Sequence, residues 1–362
     1  MKALRIYIFL LVFISCQSKE SPSLKAVFPV DSLRICDLKV PFGYPQSQTH
    51  AGVAYIKDGF CGYKYWLVTS PYPNVKSGGG DQYENPLLYF GNSTMGSQPP
   101  TSFIPYKNNP IVERPKCFNN SSSYNSDPDI LYDKHSIYLL NRTYQVKFPI
   151  YEGSQYTYNK LAICQLKTII DSDTLTGFTT PREVAISDLL IHQEHSGTPT
   201  YISPSLAFAN ERYRLFYLVT NTYNDGKDTK QLVMLSDNNI DGEFLVKKDI
   251  YMLKGNLEPW HMSVFKYRGK LYSIVCCTTS GKKKMCYQYL AEFDLGLNTF
   301  TIYQRPLIDV PSYRGSAFVR EDGMFILYSS VIYKLPKSKS VDGRDIVMAK
   351  MPFNQLLYKV KR

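Results

Sequence analysis

A short plan written five times constrains this chain more than any other feature. A polar residue heads an apolar stretch, a tight turn follows, and a second and a third apolar or aromatic stretch come after it. The heads are His50-Ala51-Gly52-Val53-Ala54-Tyr55, Asp127-Pro128-Asp129-Ile130-Leu131-Tyr132, Ser203-Pro204-Ser205-Leu206-Ala207-Phe208, Glu258-Pro259-Trp260-His261 running into Val264-Phe265, and Arg314-Gly315-Ser316-Ala317-Phe318-Val319. Second stretches follow at 63–68, 136–140, 213–217, 270–272 and 323–328. Third stretches stand at 86–90, 160–164, 231–235, 289–293 and 345–349, about 27 to 35 residues behind the anchors of the first. Fourth strands are expected at 242–246 and 299–303. β-Branched and aromatic runs bounded by Gly, Pro, Asn and Asp predict strands, and no long helical period competes with them. Three or four antiparallel strands cannot bury both faces alone, but such units packed around an axis can. The repeat therefore predicts an all-β chain, a five-bladed β-propeller filling one domain over 31–362. A β-sandwich is the competing architecture.

Thirty tyrosines fit a strand-rich chain and offer faces for stacking on sugars. The formal charge of +11 is scattered, and its tightest run, Lys282-Lys283-Lys284, reads as a hairpin tip. Scattered charge argues against a nucleic-acid groove and suits an acidic glycan.

At the N-terminus, Lys2 and Arg5 precede the apolar run 6–14, then Ser15 and Cys16. This is the layout of a secretory signal, too short to span a bilayer. A cysteine at the cut resembles a bacterial lipoprotein signal, with a polar tether over 17–30; plain secretion is the other reading. The expected localisation is a cell-surface lipoprotein that meets the membrane only through its lipid, and acts as a monomer. Seven cysteines remain, an odd number without zinc spacing. Cys276 and Cys286 flank a hairpin and are expected to face each other. The sequons at Asn92, Asn119, Asn120 and Asn141 read as polar turns.

The stretch 127–133 with Tyr138-Leu139 resembles the Asp-Pro inner-strand motif of five-bladed propeller glycosidases, such as glycoside hydrolase families 43, 32 and 62. Glu258-Pro259-Trp260-His261 resembles their general-acid motif. The segments 63–66, 71–74 and 83–86 are similar to uncharacterised propeller proteins of bacteria and phages. The family pattern departs at the first unit, where His50-Ala51-Gly52-Val53 lacks the base. Shifted by one blade, Asp127 matches the base and Glu258 the acid, while the supporting carboxylate falls on Ser203, which cannot ionise. The standard three-carboxylate site is absent.

Strand heads start near the axis on one side, so His50, Asp127, Asp129, Ser203, His261 and Arg314 are expected to converge, with Glu84 and Glu258 nearby. Glycosidic hydrolysis needs two carboxyl groups in different protonation states. Asp127 is the candidate base, and Glu258 the acid, its apolar neighbours favouring the protonated form. His50, Glu84, Asp129, Arg142, Ser203, Trp260, His261, Tyr313 and Arg314 are candidate substrate-binding residues. Each also has a structural reading: Asp127 in a turn, Glu84 as a cap, His50 and His261 in the core or on a central cation, Arg314 in a salt bridge to Asp127 or Glu258. No organic cofactor is expected; a structural cation at the axis is the one inorganic component this reading allows. His192 and His195 lack the HExxH spacing and read as a loop. The expected partner is an oligo- or polysaccharide, and the expected function a glycoside hydrolase. A non-catalytic glycan-binding or adhesion propeller is the alternative, ahead of a phage-type receptor-binding module.

Overall fold

A computed structural model describes residues 25–73, 83–93, 98–115, 123–149, 156–192, 199–222, 228–279, 286–336, 338, 340 and 342–362. Cys16, the signal, Cys117, Asn119, Asn120, His195 and the Lys282–Lys284 run lie outside them.

The chain is built from strands. They are β1 (Arg34–Ile35), β2 (Asp37–Leu38), β3 (Gln48–Phe60), β4 (Tyr63–Pro71), β5 (Leu87–Gly91), β6 (Ser102–Pro105), β7 (Tyr124–Asp133), β8 (Ser136–Pro149), β9 (Tyr156–Asp171), β10 (Thr174–Phe178) and β11 (Arg182–His192). They continue as β12 (Pro199–Ala209), β13 (Arg212–Thr222), β14 (Asp228–Asp237), β15 (Val246–Leu253), β16 (Leu257–Tyr267), β17 (Lys270–Thr279), β18 (Cys286–Asp294), β19 (Thr299–Pro306), β20 (Ser312–Val319), β21 (Met324–Ile332) and β22 (Arg344–Pro352), before a final helix α1 (Phe353–Val360).

First, second and third strands stand in each of the five units, and the fourth expected at 299–303 is β19. β3 to β6, β7 to β11, β12 to β15, β16 to β19 and β20 to β22 form five antiparallel units. Parallel pairing of β15 with β19 joins the third and fourth into one eight-stranded sheet. The first strands β3, β7, β12, β16 and β20 lie side by side, and β20 returns to β3. Hairpins with two left-handed residues, such as Lys134-His135, Asn210-Glu211 and Arg268-Gly269, join first to second strands.

Both faces of each unit are covered by its neighbours. Trp66, Val68 and Leu88 of the first unit pack against Ile130, Ile137 and Leu139 of the second. Tyr138, Leu140 and Ile163 meet Leu206, Leu215 and Tyr217, and Phe216 and Leu218 meet Val264, Val275 and Phe293. Phe265 and Ile274 meet Phe325 and Leu327, and Ile326 and Tyr328 return to Val53 and Leu67. Burial of this kind, at about 25 cal/mol per Å² of apolar area, is what holds the ring together. The N-terminal chain closes it: Arg34 pairs with Met348 of the fifth unit and Asp37 with Ser102 of the first.

Four local expectations need correction. Residues 27 and 28 belong to the packed body rather than to a tether, because Val27 and Phe28 are buried and their amides bond Pro306 and Leu307 carbonyls. The fourth strand of the third unit starts at Val246, not at 242, because Asp237 accepts the Phe244 amide and holds 240–244 as a turn. His192 ends a strand rather than lying in a loop, its backbone in register with Tyr156. Asn141 is inside β8 rather than a turn, buried and bonded to Asn125 and Thr143.

Candidate metal centre at the axis

All five first strands carry one extra residue near their heads. The register skips between Thr49 and Gly52, Ser126 and Asp129, Ile202 and Ser205, Pro259 and His261, and Ser312 and Gly315. A bulge re-aims the side chain it carries. Three bulge residues, His50, Asp127 and Ser203, are non-glycines held at φ of 56°, 52° and 54°. Such backbone costs on the order of 1 kcal/mol or more each and persists where surrounding structure over-determines it.

Side chains two apart on a strand share a side, so the bulges set two layers. His50, Asp127, Ser203, His261 and Arg314 form the upper one. Gly52, Asp129, Ser205, Ser263 and Ser316 form the lower, and it is a polar floor. Asp129 accepts from Ser205 Oγ at 2.6 Å and Ser263 Oγ at 3.3 Å, and Ser263 bonds Ser316 at 3.0 Å. Arg314, 1% exposed, reaches down to Asp129 at 3.4 Å and donates to the Pro204 carbonyl at 2.9 Å. Gly52 belongs here because a Cβ would stand 3.1 Å from the Asp129 Cα.

The upper layer holds three ligating side chains. His50, Asp127 and His261 each offer an atom within 4.8 Å of the others, and all three are buried. His50 Nε2 lies 3.1 Å from Asp127 Oδ1 without an aligned hydrogen bond, and both atoms lack partners. Thr49 Oγ1 at 3.4 Å and Glu84 at 3.8 Å stand at the other nitrogen of His50. Ser203 Oγ, 2.6 Å away, occupies His261 Nδ1 and leaves Nε2 unpartnered. Each imidazole thus has one nitrogen with a protein partner and one without; on His50 the unpartnered Nε2 faces Asp127, whereas on His261 it is Nδ1, shared with Ser203, that stands 3.7 Å from Asp127 Oδ1. Tyr313 packs against both rings, with centroids 5.0 and 4.3 Å away, and accepts from Trp260 Nε1 at 3.2 Å.

Electrostatics favour ligation. Burial pushes His50 down to about 4, against the pull of Asp127 and helped by Arg314 and Arg142. Burial likewise holds His261 well below its ordinary value. Both rings are neutral at pH 7, as ligands must be. Burial opposes ionisation of Asp127, but nearby positive charge, first that of Arg142, wins and holds its carboxyl far below the usual range. Arg142 Nε stands 3.7 Å from Asp127 and donates to Ser126 Oγ; the Ser203 amide donates to Asp127 at 3.0 Å. Asp129 is shifted upward, because burial outweighs Arg314 and the hydroxyl of Ser205. Two neutral imidazoles and one carboxylate suit zinc or a neighbouring transition ion better than calcium or magnesium, which prefer oxygen.

The structure thus brings together His50, Asp127, Ser203, His261, Arg142, Tyr313 and Glu84, and places Asp129 and Arg314 beneath them. Glu258 goes elsewhere. Its side chain is 46% exposed and pairs with Lys254 Nζ at 2.6 Å. Trp260 is half-buried under the ammonium of Lys230, 4.7 Å from its ring. The floor serines and Thr49 were not singled out from the sequence. Alternation from the strand heads points to Ser205, Ser263 and Ser316, but serine alone carries little signal.

No family model and no curated protein sequence matches the chain. Solved structures share its fold. An N-acetylgalactosamine deacetylase from F. plautii, in complex with blood group B trisaccharide, is 15% identical over 88% of this chain and 94% of that one, with a TM-score of 0.57. RS223 β-xylosidase is 12% identical over 88% and 95%, and a protein from Dyadobacter fermentans DSM 18053 is 14% identical over 84% and 80%, both with TM-scores of 0.50. The resemblance to propeller glycosidases therefore holds at the level of fold.

Proposed function

We propose that the five units are the blades of a five-bladed propeller, and that the chain hydrolyses acyl groups from glycans with a divalent cation held by His50, Asp127 and His261. The observation that carries this reading is the meeting of three buried ligand atoms, with His50 Nε2, His261 Nε2 and Asp127 Oδ1 unpartnered. Held by these three residues, a divalent cation would supply Lewis-acid chemistry, lowering the pKa of a water and polarising a carbonyl. That chemistry suits an acyl group on a sugar. Glycosidic cleavage instead needs two carboxyl groups flanking one bond, and here Asp127 is gripped by Arg142 while Glu258 is spent on Lys254. The F. plautii protein of similar fold is a deacetylase crystallised with a trisaccharide, which agrees with an acylated sugar as substrate. Export as a lipoprotein ending its signal at Cys16 belongs to the same proposal and rests on the basic and apolar N-terminus. The glycan-binding alternative keeps one observation in its favour, the neutralisation of Asp129 by Arg314.

A panel of acetylated and plain glycans separates these readings. With added Zn²⁺ or Co²⁺, free acetate is expected without new reducing ends, and chelator or His261→Ala should abolish it. New reducing ends without acetate would restore the two-carboxylate glycosidase. Retention of a glycan with no product would leave a binding protein.

A further inference from the structure

Beside the axis, on the face of the fourth unit that also carries His261, lies a pair of thiols that the cation site does not use. β17 and β18 are antiparallel, with Cys276 opposite Gln288 and Thr278 opposite Cys286. Cys286 is two residues from Gln288, so both cysteines point to the same side and stand as diagonal neighbours. The two sulfurs are near enough for each to perturb the other. Cys277, one residue along, faces the other way and is fully buried. Among the described residues Cys36, Cys61 and Cys164 lie on other units.

We propose that Cys276 and Cys286 are a disulfide-forming pair, closed by exchange with a low-molecular-weight disulfide in an oxidising compartment. The two differ in access, which sets the order of events. Cys286 is half-buried, whereas Cys276 is 1% exposed. The Cys286 thiolate therefore attacks the external disulfide, forming a mixed disulfide and releasing one thiolate. Cys276 then loses its proton and attacks the Cys286 sulfur, which releases the second thiolate. Two protein thiols are oxidised, one external disulfide is reduced to two thiols, and both protons end on the released thiolates.

The bond would close a short loop where β17 leads into β18, beside the metal centre. It also removes a contact. Cys276 now donates to the Ser312 carbonyl at 3.7 Å, and Ser312 precedes Tyr313, which packs on His50 and His261.

The full-length chain is equilibrated with oxidised glutathione, alkylated, digested and mapped by mass spectrometry without reduction. A peptide linking Cys276 to Cys286 is expected. The oxidised protein should melt about 5 °C above the dithiothreitol-reduced form, and Cys286→Ser should remove that difference. Glutathione remaining on Cys286 while Cys276 stays free, or both thiols alkylated, would overturn the proposal. None of these outcomes depends on the cation site.

Discussion

An Asp127→Ala chain, measured without added cation, will unfold at lower urea concentration, with a loss of about 3–5 kcal/mol. The cause is the charge left behind. Arg142 has only 12% of its side chain exposed, and Asp127 is the carboxylate against its Nε. Removing that carboxylate leaves a buried guanidinium with the Ser126 hydroxyl, the Tyr201 carbonyl and the Tyr124 ring as partners. The Ser203 amide, bonded to Asp127 at 3.0 Å, loses its acceptor too. Asp127→Asn keeps an oxygen for that amide and should cost less, yet it removes the charge on which cation binding depends. A cost below about 1 kcal/mol for the alanine variant would mean that the Asp127–Arg142 pair is not the buried anchor described here.

The second large effect is acid destabilisation. A histidine in the unfolded chain takes up a proton near 6.5, whereas His50 in the folded chain does so only at about 4, because it is buried and faces Arg314, Arg142 and Arg344 more than Asp127 can offset. Unfolding therefore takes up protons between these values. The stability from neutral His50 is complete above pH 6.5 and falls as pH drops towards 4, at about 1.4 kcal/mol per pH unit. Its total is roughly 3 kcal/mol for His50 alone, and His261 adds to it in the same direction. Asp127 works lower: its folded carboxyl stays ionised below the usual range, so that contribution is kept above about pH 4 and lost beneath it. Denaturation curves at pH 7, 5.5 and 4.5 should show the fall, and His50→Gln should flatten it. A curve of unchanged slope in that variant would contradict a neutral buried His50.

Much of the architecture was legible because strand signals are local. The runs at 63–68, 213–217 and 289–293 alternate or carry aromatics, and each is a strand. The convergence of His50, Asp127, Ser203 and His261 was legible too, since repeated heads on repeated strands must meet at one axis. Their chemistry was not. Whether a histidine ligates or packs depends on which ring nitrogen is occupied, and that is decided by Ser203 from another unit and by Thr49 and Glu84. Glu258 shows the opposite failure. Its motif pointed to the axis, but Lys254, four residues earlier, takes its carboxylate. That spacing was visible in the sequence and outweighed by the motif. Arg314 was expected to meet an external anion or to bridge Asp127 or Glu258; it meets Asp129 instead, because alternation sets Asp129 one layer below Asp127.

The measurement closest to the central claim is a titration of metal-free protein with Co²⁺, followed by visible absorption, for the parent chain and for His261→Ala. One Co²⁺ per chain is predicted, with absorption bands of nitrogen and oxygen ligation, and the variant should lose at least about 100-fold in affinity. Absence of Co²⁺ uptake by the parent, or equal uptake by both chains, would contradict the axial metal centre.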